Sequence, residues 1–189
     1  MTTKIQTIVK NNLNVPNVEI EMRLGNIFNN HFDSNVGKET YDKIFRRLLK
    51  YDGWENVSKS NTTVYYSGNR RMIIDDDTDE QTYHIKTRVS NNNYKMQPCD
   101  VRISVSTEVP CEEFDDEMDA CRARKRTSFV RKNLTIDMTE VCGDADDLDD
   151  EEEIQYQVEL EIMDPKLLDT ENKVTNLVHK INDVLKIAN

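Results

Sequence analysis

Cysteine and histidine, which build most zinc and thiol sites, are scarce in this chain. It has four cysteines and three histidines among 189 residues. No two cysteines form a Cys-x-x-Cys pair and the histidines are scattered, so the pattern argues against a zinc site. We expect free thiols in a reducing compartment. The four cysteines are Cys99, Cys111, Cys121 and Cys142.

Long apolar runs and glycine-rich phosphate loops are also missing. No stretch approaches the roughly 20 apolar residues that span a membrane, and the N-terminus lacks a signal-peptide core. Of the five glycines, none forms a G-x-x-x-x-G-K or G-x-G-x-x-G motif. These absences predict an intracellular protein that is neither secreted nor membrane-bound and that has no P-loop or dinucleotide fold.

The composition is polar and acidic. Charged residues make up 32%, aromatic residues 7%, and the net charge is −11. The length predicts one domain over residues 1–189, large enough for a core without disulfide or metal support. The acidity argues against a nonspecific nucleic-acid binder, although local basic patches can outweigh it. A polar interior, with apolar faces turned outward onto helices, would reconcile this composition with a folded domain.

Two short stretches near opposite ends of the chain alternate apolar and charged residues with period two. Residues 18–24 and 157–162 each place their apolar side chains on one strand face and their charges on the other. Like charges two apart repel, and carboxylate oxygens are the ligands that Mg²⁺ and Mn²⁺ prefer. The alternative is a solvated strand face, which is common in acidic proteins. The carboxylates are Glu19, Glu21, Glu159 and Glu161.

The rest of the pattern predicts many strands between a few helices. Helical spacing covers 37–51 and 169–187, with a short amphipathic start before Pro16. Residues 26–35, 112–119 and 144–153 are predicted as loops. Hairpin-length connections predict an antiparallel sheet or barrel, with the C-terminal helix on its outer face. The candidate strands are 18–24, 54–58, 61–67, 70–75, 81–89, 101–108, 121–130, 133–141 and 154–163.

Several of these strands carry cations opposite their apolar residues. Arg122, Arg124 and Arg126 share one strand face, and guanidinium groups suit phosphate oxygens. Alone, this stretch favours a basic surface run or a nuclear-localisation-like segment over a phosphate site. If the sheet closes, however, the cationic and acidic faces meet inside a charged tunnel, a composition suited to attack on a polyphosphate. The other strand-borne cations are Arg70, Arg71, Lys86, Arg88 and Arg102.

The order and spacing of these motifs resemble the triphosphate tunnel metalloenzymes. The subgroup they are similar to is the metal-dependent RNA 5′-triphosphatases of fungal and large-DNA-virus mRNA capping systems, over about residues 18–163. The resemblance is carried by Glu19-Ile-Glu21-Met-Arg23, Arg102-Ile-Ser104-x-x-x-Glu108, Arg122-Ala-Arg124-Lys-Arg126, Leu134-Thr-Ile-Asp137-Met-Thr139-Glu140-Val141 and Glu159-Leu-Glu161.

This resemblance implies a fold and a division of roles. The fold would be α+β and mainly antiparallel: a closed eight-stranded β-barrel tunnel with helices packed outside. Carried over by position, the four glutamates Glu19, Glu21, Glu159 and Glu161 would hold Mg²⁺ or Mn²⁺, directly or through water. Arg23 would lie beside them. Glu108, Asp137 and Arg124 are the catalytic candidates. The triphosphate-binding set would be Arg23, Arg71, Lys86, Arg102, Arg122 and Arg126, together with Arg124.

The implied activity is removal of the γ-phosphate from the 5′-triphosphate end of RNA, the first step of mRNA capping, in the host cytoplasm or virion if the protein is viral. Free nucleoside triphosphates would be secondary substrates, and guanylyltransferase and methyltransferase domains could share a longer polypeptide. Gln157 departs from the usual three glutamates on the last strand and removes one negative charge. Two alternatives stay open: a tunnel enzyme for small polyphosphates or a cyclase relative, and a non-catalytic acidic β-domain that binds a cation or a partner.

Overall fold

The computed structural model describes residues 2–12, 14–143 and 154–188. Nine strands and three α-helices occupy these residues, with a 3₁₀ turn at Pro165–Leu167. The helices are α1 (Thr2–Asn12), α2 (Lys38–Lys50) and α3 (Glu171–Ala188). The strands are β1 (Val18–Phe28), β2 (His31–Asp33), β3 (Asn56–Ser67), β4 (Arg70–Asp75), β5 (Gln81–Tyr94), β6 (Asp100–Pro110), β7 (Ala120–Arg131), β8 (Leu134–Cys142) and β9 (Gln155–Ile162).

Eight of these strands form a closed antiparallel barrel. The hydrogen-bonded order is β1-β6-β5-β4-β3-β7-β8-β9, and β9 pairs back onto β1 to close the ring. The short strand β2 extends the sheet beside β1. Closure removes the unpaired edges of an open sheet and aims one side chain in two at the barrel axis. The predicted eight-stranded barrel is therefore confirmed.

The apolar core lies outside the barrel wall, between the strands and the helices. In β1, Ile20, Met22 and Leu24 are fully buried in a cluster that also contains side chains from all three helices. The predicted amphipathic stripes form this cover: α2 contributes Tyr41, Ile44 and Leu48, and α3 buries seven residues. The helices predicted at 37–51 and 169–187 are thus confirmed, and the N-terminal start is a full helix of 11 residues. In the part of the chain that the structure describes, no helix is long and apolar enough to span a membrane.

The loop predicted at 26–35 is wrong, because β1 continues past Gly25 and turns back as β2. Asn29 and Asn30 form the connection, and both have positive φ angles, of 47° and 63°. A two-residue hairpin turn of this type needs φ above zero at both positions, which asparagine tolerates. Gly25 does not end the strand but lies against β2, where an added Cβ would be 2.1 Å from the carbonyl oxygen of Asp33.

Two other strand boundaries differ from the prediction. The strands expected at 54–58 and 61–67 are one continuous strand, β3, which pairs with β7 along its whole length. The strand expected at 81–89 is longer: β5 passes a register shift between Arg88 and Ser90 and continues to Tyr94. Residues 112–119 form the predicted exposed loop, held at Asp116 and Asp119. The acidic stretch 144–153 lies outside the described residues.

Candidate active site

The barrel encloses a charged cavity of ≈ 420 Å³. Carboxylates from β1, β6 and β9 line one part of its wall, and arginines from β4 and β7 line another. A smaller cavity of ≈ 120 Å³ adjoins it, because both are bounded by Glu21, Arg23, Arg71 and Lys86. The larger cavity contains eleven of the thirteen predicted site residues: Glu19, Glu21, Arg23, Arg71, Lys86, Glu108, Arg122, Arg124, Arg126, Glu159 and Glu161.

The carboxylate wall is built where β1 closes onto β9. Glu21 lies directly opposite Glu161 in the strand register, an arrangement that is unfavourable for like charges. The Lys86 ammonium group lies 2.5 Å from Glu19 and 3.2 Å from Glu21. Although burial opposes ionisation, Arg23 and Lys86 lower the pKa of Glu21 to about 2. Glu21 therefore stays ionised at neutral pH.

Glu161 is in the opposite electrostatic situation. Among the residues that the structure describes, no cation forms an ion pair with it. Burial and the negative charges of Glu19, Asp137 and Glu21 raise the pKa of Glu161 to about 7. Burial also raises the pKa of Glu19, and Lys86 only partly opposes this effect. The barrel thus concentrates more negative charge at this wall than its own cations neutralise.

Arg23 joins the two acidic strands. Its guanidinium group lies 2.9 Å from Glu21 and 2.6 Å from Glu159. Glu159 is also 3.4 Å from Arg126, so this glutamate contacts two guanidinium groups. Arg23 therefore lies between the glutamates of β1 and β9.

The arginine wall comes from alternate residues of β7. Arg122 is exposed, whereas Arg124 and Arg126 are half-buried. Arg124 donates a hydrogen bond from Nη2 to the phenol oxygen of Tyr66, while its buried Nε has no hydrogen-bond partner. Burial lowers the pKa of Arg124. A buried, charged N–H group without an acceptor is costly, and a phosphate oxygen would satisfy it.

Asp137 is placed behind the arginine wall rather than in the cavity. It is 3% exposed, accepts a hydrogen bond of 2.6 Å from Ser128 and lies 3.2 Å from Arg126. Burial raises the pKa of Asp137, and the nearby Arg126 opposes this effect. Thr139 accepts a further hydrogen bond of 3.1 Å from Arg126. Asp137 is therefore positioned to orient Arg126.

Glu108 connects the two walls. It lies 3.2 Å from Lys86 and 3.6 Å from Arg71, and His84 Nδ1 is 3.4 Å away. Arg71 lies 5.5 Å above the ring of Tyr66. Its neighbour Arg70 instead pairs with Asp116, on the loop outside the barrel. The strand register therefore directs Arg71, and not Arg70, towards the cavity.

Arg102 belongs to the smaller cavity, with Arg88 and Arg23 nearby. It donates a hydrogen bond of 2.9 Å to Asn93 and lies 4.4 Å from the centre of the Phe32 ring. Burial, Arg88 and Arg23 lower the pKa of Arg102. Arg102 therefore contributes positive charge to the tunnel at a position separate from the three β7 arginines.

The carboxylates of the cavity have the donor chemistry that a divalent cation requires. Within the described ranges, no three Asp, Glu, His or Cys side chains form a preformed metal cluster, because Lys86 and Arg23 lie among the glutamates. The donors are nevertheless all oxygen, as Mg²⁺ and Mn²⁺ require. Glu161 lacks an ion-pair partner among these residues, and Lys86 already brings a cation to Glu19 and Glu21. The residues fit a hard divalent ion.

Several cavity residues were not singled out from the sequence. Tyr66 and Ser34 line the larger cavity, and Ser34 accepts a hydrogen bond of 3.2 Å from Gln157. His84 contacts Glu108. Strand alternation could have placed His84 on the inner face, because it shares a face with Lys86. Nothing in the sequence pattern indicates that Tyr66 contacts Arg124, which lies on another strand.

The fold and site define the class of protein: a closed β-barrel tunnel whose cavity is lined by carboxylates and arginines, a composition suited to a polyphosphate substrate. A sequence model of the family described as "mRNA capping enzyme, beta chain" matches residues 1–187. The chain belongs to this family and is an RNA triphosphatase of the mRNA capping type. This result confirms the resemblance seen in the motifs, and it replaces the two alternatives raised from the sequence. No curated protein matches the chain in sequence.

Solved structures show the same fold at low sequence identity. The Schizosaccharomyces pombe RNA triphosphatase Pct1 gives a TM-score of 0.78 at 18% identity, covering 99% of this chain and 91% of that chain. The RNA triphosphatase domain of the trifunctional mimivirus mRNA capping enzyme gives 0.72 at 15% identity, covering 100% and 96%. A chain of the S. pombe Mediator head module gives 0.57 at 10% identity, covering 89% and 94%. Fold likeness alone therefore does not decide function, which rests on the family model.

Proposed function

We propose that this protein removes the γ-phosphate from the 5′-triphosphate end of RNA, using the barrel cavity as its active site. The observation that carries the proposal is the pairing of Glu21 directly opposite Glu161 in a cavity that also contains Arg122, Arg124 and Arg126. Anionic substrate, cationic wall and carboxylate-bound cation would balance one another there. The proposal covers residues 1–189 as one domain.

We assign the metal site to the carboxylate wall. Glu19, Glu21 and Glu161 would hold Mg²⁺ or Mn²⁺, and Glu159 would contribute directly or through water. When bound, the ion supplies positive charge for the phosphate oxygens and for a water molecule. Arg23 holds Glu21 and Glu159 in place through its contacts with both. Gln157 donates a hydrogen bond to Ser34 beside this group but adds no charge.

The triphosphate would be bound by the cations of the two connected cavities. The unpartnered Nε of Arg124 offers a ready donor to a phosphate oxygen. Arg71, Lys86, Arg122 and Arg126 surround the same volume, and Arg102 and Arg23 extend the positive charge into the smaller cavity. Phosphoryl transfer needs such positioning and charge stabilisation more than covalent chemistry.

The remaining residues act by orienting these cations. Tyr66 anchors Arg124 through its phenol oxygen and underlies Arg71 with its ring. Asp137 fixes Arg126, and Glu108 restrains Lys86. The arginines then stabilise the charge that develops on the γ-phosphoryl oxygens while water attacks in line. Glu108 is also our candidate for ordering that water, because it lines the cavity.

We extend the proposal to the secondary substrates and partners. Free nucleoside triphosphates carry the same phosphate chain, so we expect the protein to hydrolyse them as well. The reaction would take place inside the cell, where nascent RNA is made. The similar mimivirus domain comes from a trifunctional capping enzyme, so guanylyltransferase and methyltransferase activities are the expected functional partners, on the same or another chain.

Phosphate release from γ-labelled, triphosphate-ended RNA tests the proposal. We expect release with Mg²⁺ or Mn²⁺ and loss of release with a chelator. Glu161→Ala should abolish it while circular dichroism stays native, because the side chain faces the cavity and not the core. Glu117→Ala, on the exposed outer loop, is the matched control and should retain full activity. Release that survives Glu161→Ala, or that needs no metal, would overturn the assignment.

A further inference from the structure

The outer surface of the barrel carries a second concentration of positive charge, away from the tunnel. It borders a groove of ≈ 560 Å³ between α2 and α3, which we call the α2–α3 groove. Five of its six lining residues are cations, in a chain that has 36 acidic and only 25 basic residues. The residues are Lys43, Arg46, Arg47, Lys50, Lys186 and Ile187.

An apolar crevice of ≈ 430 Å³ continues from this groove. The two share Arg47 and Ile187. The crevice is lined mainly by aliphatic side chains of α2, α3 and β8, and by the rings of Tyr51 and Trp54, which follow α2. Asp183 of α3 also lines it. Arg131 and Lys180 stand on its rim. The combined surface is an apolar slot bordered mainly by cations, which is the composition of an interface centre with a charged rim.

The cations of this surface are poorly compensated. Lys43 pairs with Glu39 and Lys186 with Asp183, but within the described part of the chain Arg47, Lys50 and Lys180 have no ion-pair partner. Burial lowers the pKa of Lys180, and Lys132 and Arg131 lower it further by repulsion. Compensation of the helix dipole explains cations in the last turn of a helix. It does not explain Arg131 and Lys132, which lie at the turn between β7 and β8.

The lining of the crevice favours a peptide over a nucleic acid. Single-stranded RNA needs open aromatic faces on which bases can stack. Here the Tyr51 ring is covered by Arg131 at 4.9 Å and contacted by Trp54 at its edge. The Trp54 indole N–H is already bonded to the carbonyl of Leu48. Aliphatic walls without free polar groups accept an apolar side chain instead.

We propose that the α2–α3 groove and its crevice bind an acidic peptide segment of another protein. One or two large apolar side chains of that segment enter the crevice, and its carboxylates face Arg47, Lys50 and Lys180. The contact would tether the enzyme to a partner without obstructing the tunnel. This inference does not depend on the proposed phosphate chemistry, since none of these side chains lines the tunnel cavities.

Fluorescence anisotropy with a defined peptide tests the inference on the intact protein. The probe is a labelled 14-residue peptide of Asp and Glu with one Phe and one Leu four positions apart. We expect saturable binding at low salt. Replacing Phe and Leu by Ala, or the acidic residues by Lys, should each weaken binding at least tenfold. Absent binding of the probe, or equal binding of the three peptides, would overturn the inference.

Charge variants locate the site. Arg47→Glu with Lys50→Glu should weaken probe binding at least tenfold and leave RNA triphosphatase activity unchanged. The neutral pair Arg47→Gln with Lys50→Gln should give an intermediate loss, and it avoids placing acids at a helix C-terminus. Lys59→Glu with Lys95→Glu makes the same change in net charge at exposed positions outside the groove, and should bind as the wild type does. Equal weakening by this control, or selective loss of binding to a 20-nucleotide RNA without loss of peptide binding, would refute the assignment.

Discussion

Glu161→Gln should stabilise the metal-free protein while it abolishes turnover. Burial and three neighbouring carboxylates raise the pKa of Glu161 from 4.5 to about 7. Between these two values the folded protein binds more protons than the unfolded chain, so stability falls as pH rises. The penalty is complete above about pH 7 and absent below about pH 4.5. Glutamine carries no charge, so the variant escapes it.

The size of the effect follows from the same pKa. A rise from 4.5 to about 7 corresponds to about 3 kcal/mol above both values. Glu161 remains partly exposed and its charge is coupled to that of Glu21, so we reduce the expectation to about 1–2 kcal/mol. For a domain of this size, that is a gain in melting temperature of roughly 2–8 °C.

Thermal melts at pH 5, 6, 7 and 8 in a chelating buffer provide the assay. The difference between Glu161→Gln and the wild type should grow with pH, whereas Glu117→Gln should follow the wild type throughout. Added Mg²⁺ or Mn²⁺ should raise the melting temperature of the wild type and not that of Glu161→Gln. A variant that is less stable than the wild type at pH 8 without metal, or a difference that does not change with pH, would refute the reasoning.

Three further substitutions separate positioning from packing. Tyr66→Phe removes the phenol oxygen that accepts a hydrogen bond from Arg124. A hydrogen bond to a charged group contributes about 1.5–3 kcal/mol, so kcat/KM for phosphate release should fall roughly 10–100-fold. A change below twofold contradicts this role. Asp137→Asn removes the charge of one of the two carboxylates that contact the half-buried Arg126. It should lower both kcat/KM and the free energy of unfolding, the latter by about 2 kcal/mol, in activity assays and urea melts; unaltered kcat/KM rejects Asp137 as a positioning residue. Gly25→Ala puts a Cβ 2.1 Å from a β2 carbonyl oxygen and should cost about 1–3 kcal/mol in thermal melts; an unchanged melting temperature shows that β2 can move aside.

Strand alternation made much of the site predictable from the sequence. Each inward side chain of β1 and β9 follows from period two, so Glu19, Glu21, Glu159 and Glu161 could be assigned to one face before any register was known. The register between neighbouring strands could not be predicted from the sequence, and this register decides which side chains contact each other in the cavity. The pairing of β3 with β4 sets Arg71 opposite Tyr66. Alternation alone cannot choose between Arg70 and Arg71, because a slip of one residue exchanges the strand faces.

The strand boundaries that were predicted wrongly lie in segments that have no buried apolar face. The first four residues of β3 are all exposed, so no apolar alternation marks them as strand, and the pairing with β7 alone holds them. The second half of β5 is similar: it contains three consecutive asparagines, whose composition is typical of a turn, yet it is paired throughout with β6. In both places backbone hydrogen bonds to a neighbouring strand override local propensity.

The inverted polarity of this barrel separates stability from activity. The apolar side chains of β1 face outward into the helix-covered core. Its glutamates face the polar cavity, where repulsion between carboxylates lowers the stability of the folded protein. Outward substitutions such as Met22→Ala should therefore unfold the protein without any direct effect on chemistry, because they open a cavity in the core. Substitutions of side chains that face the cavity should lower activity without unfolding the protein. Because the barrel interior is charged, the stability of the fold comes from apolar burial between the barrel wall and the helices outside. The amphipathic faces of α2 and α3 provide much of this buried surface.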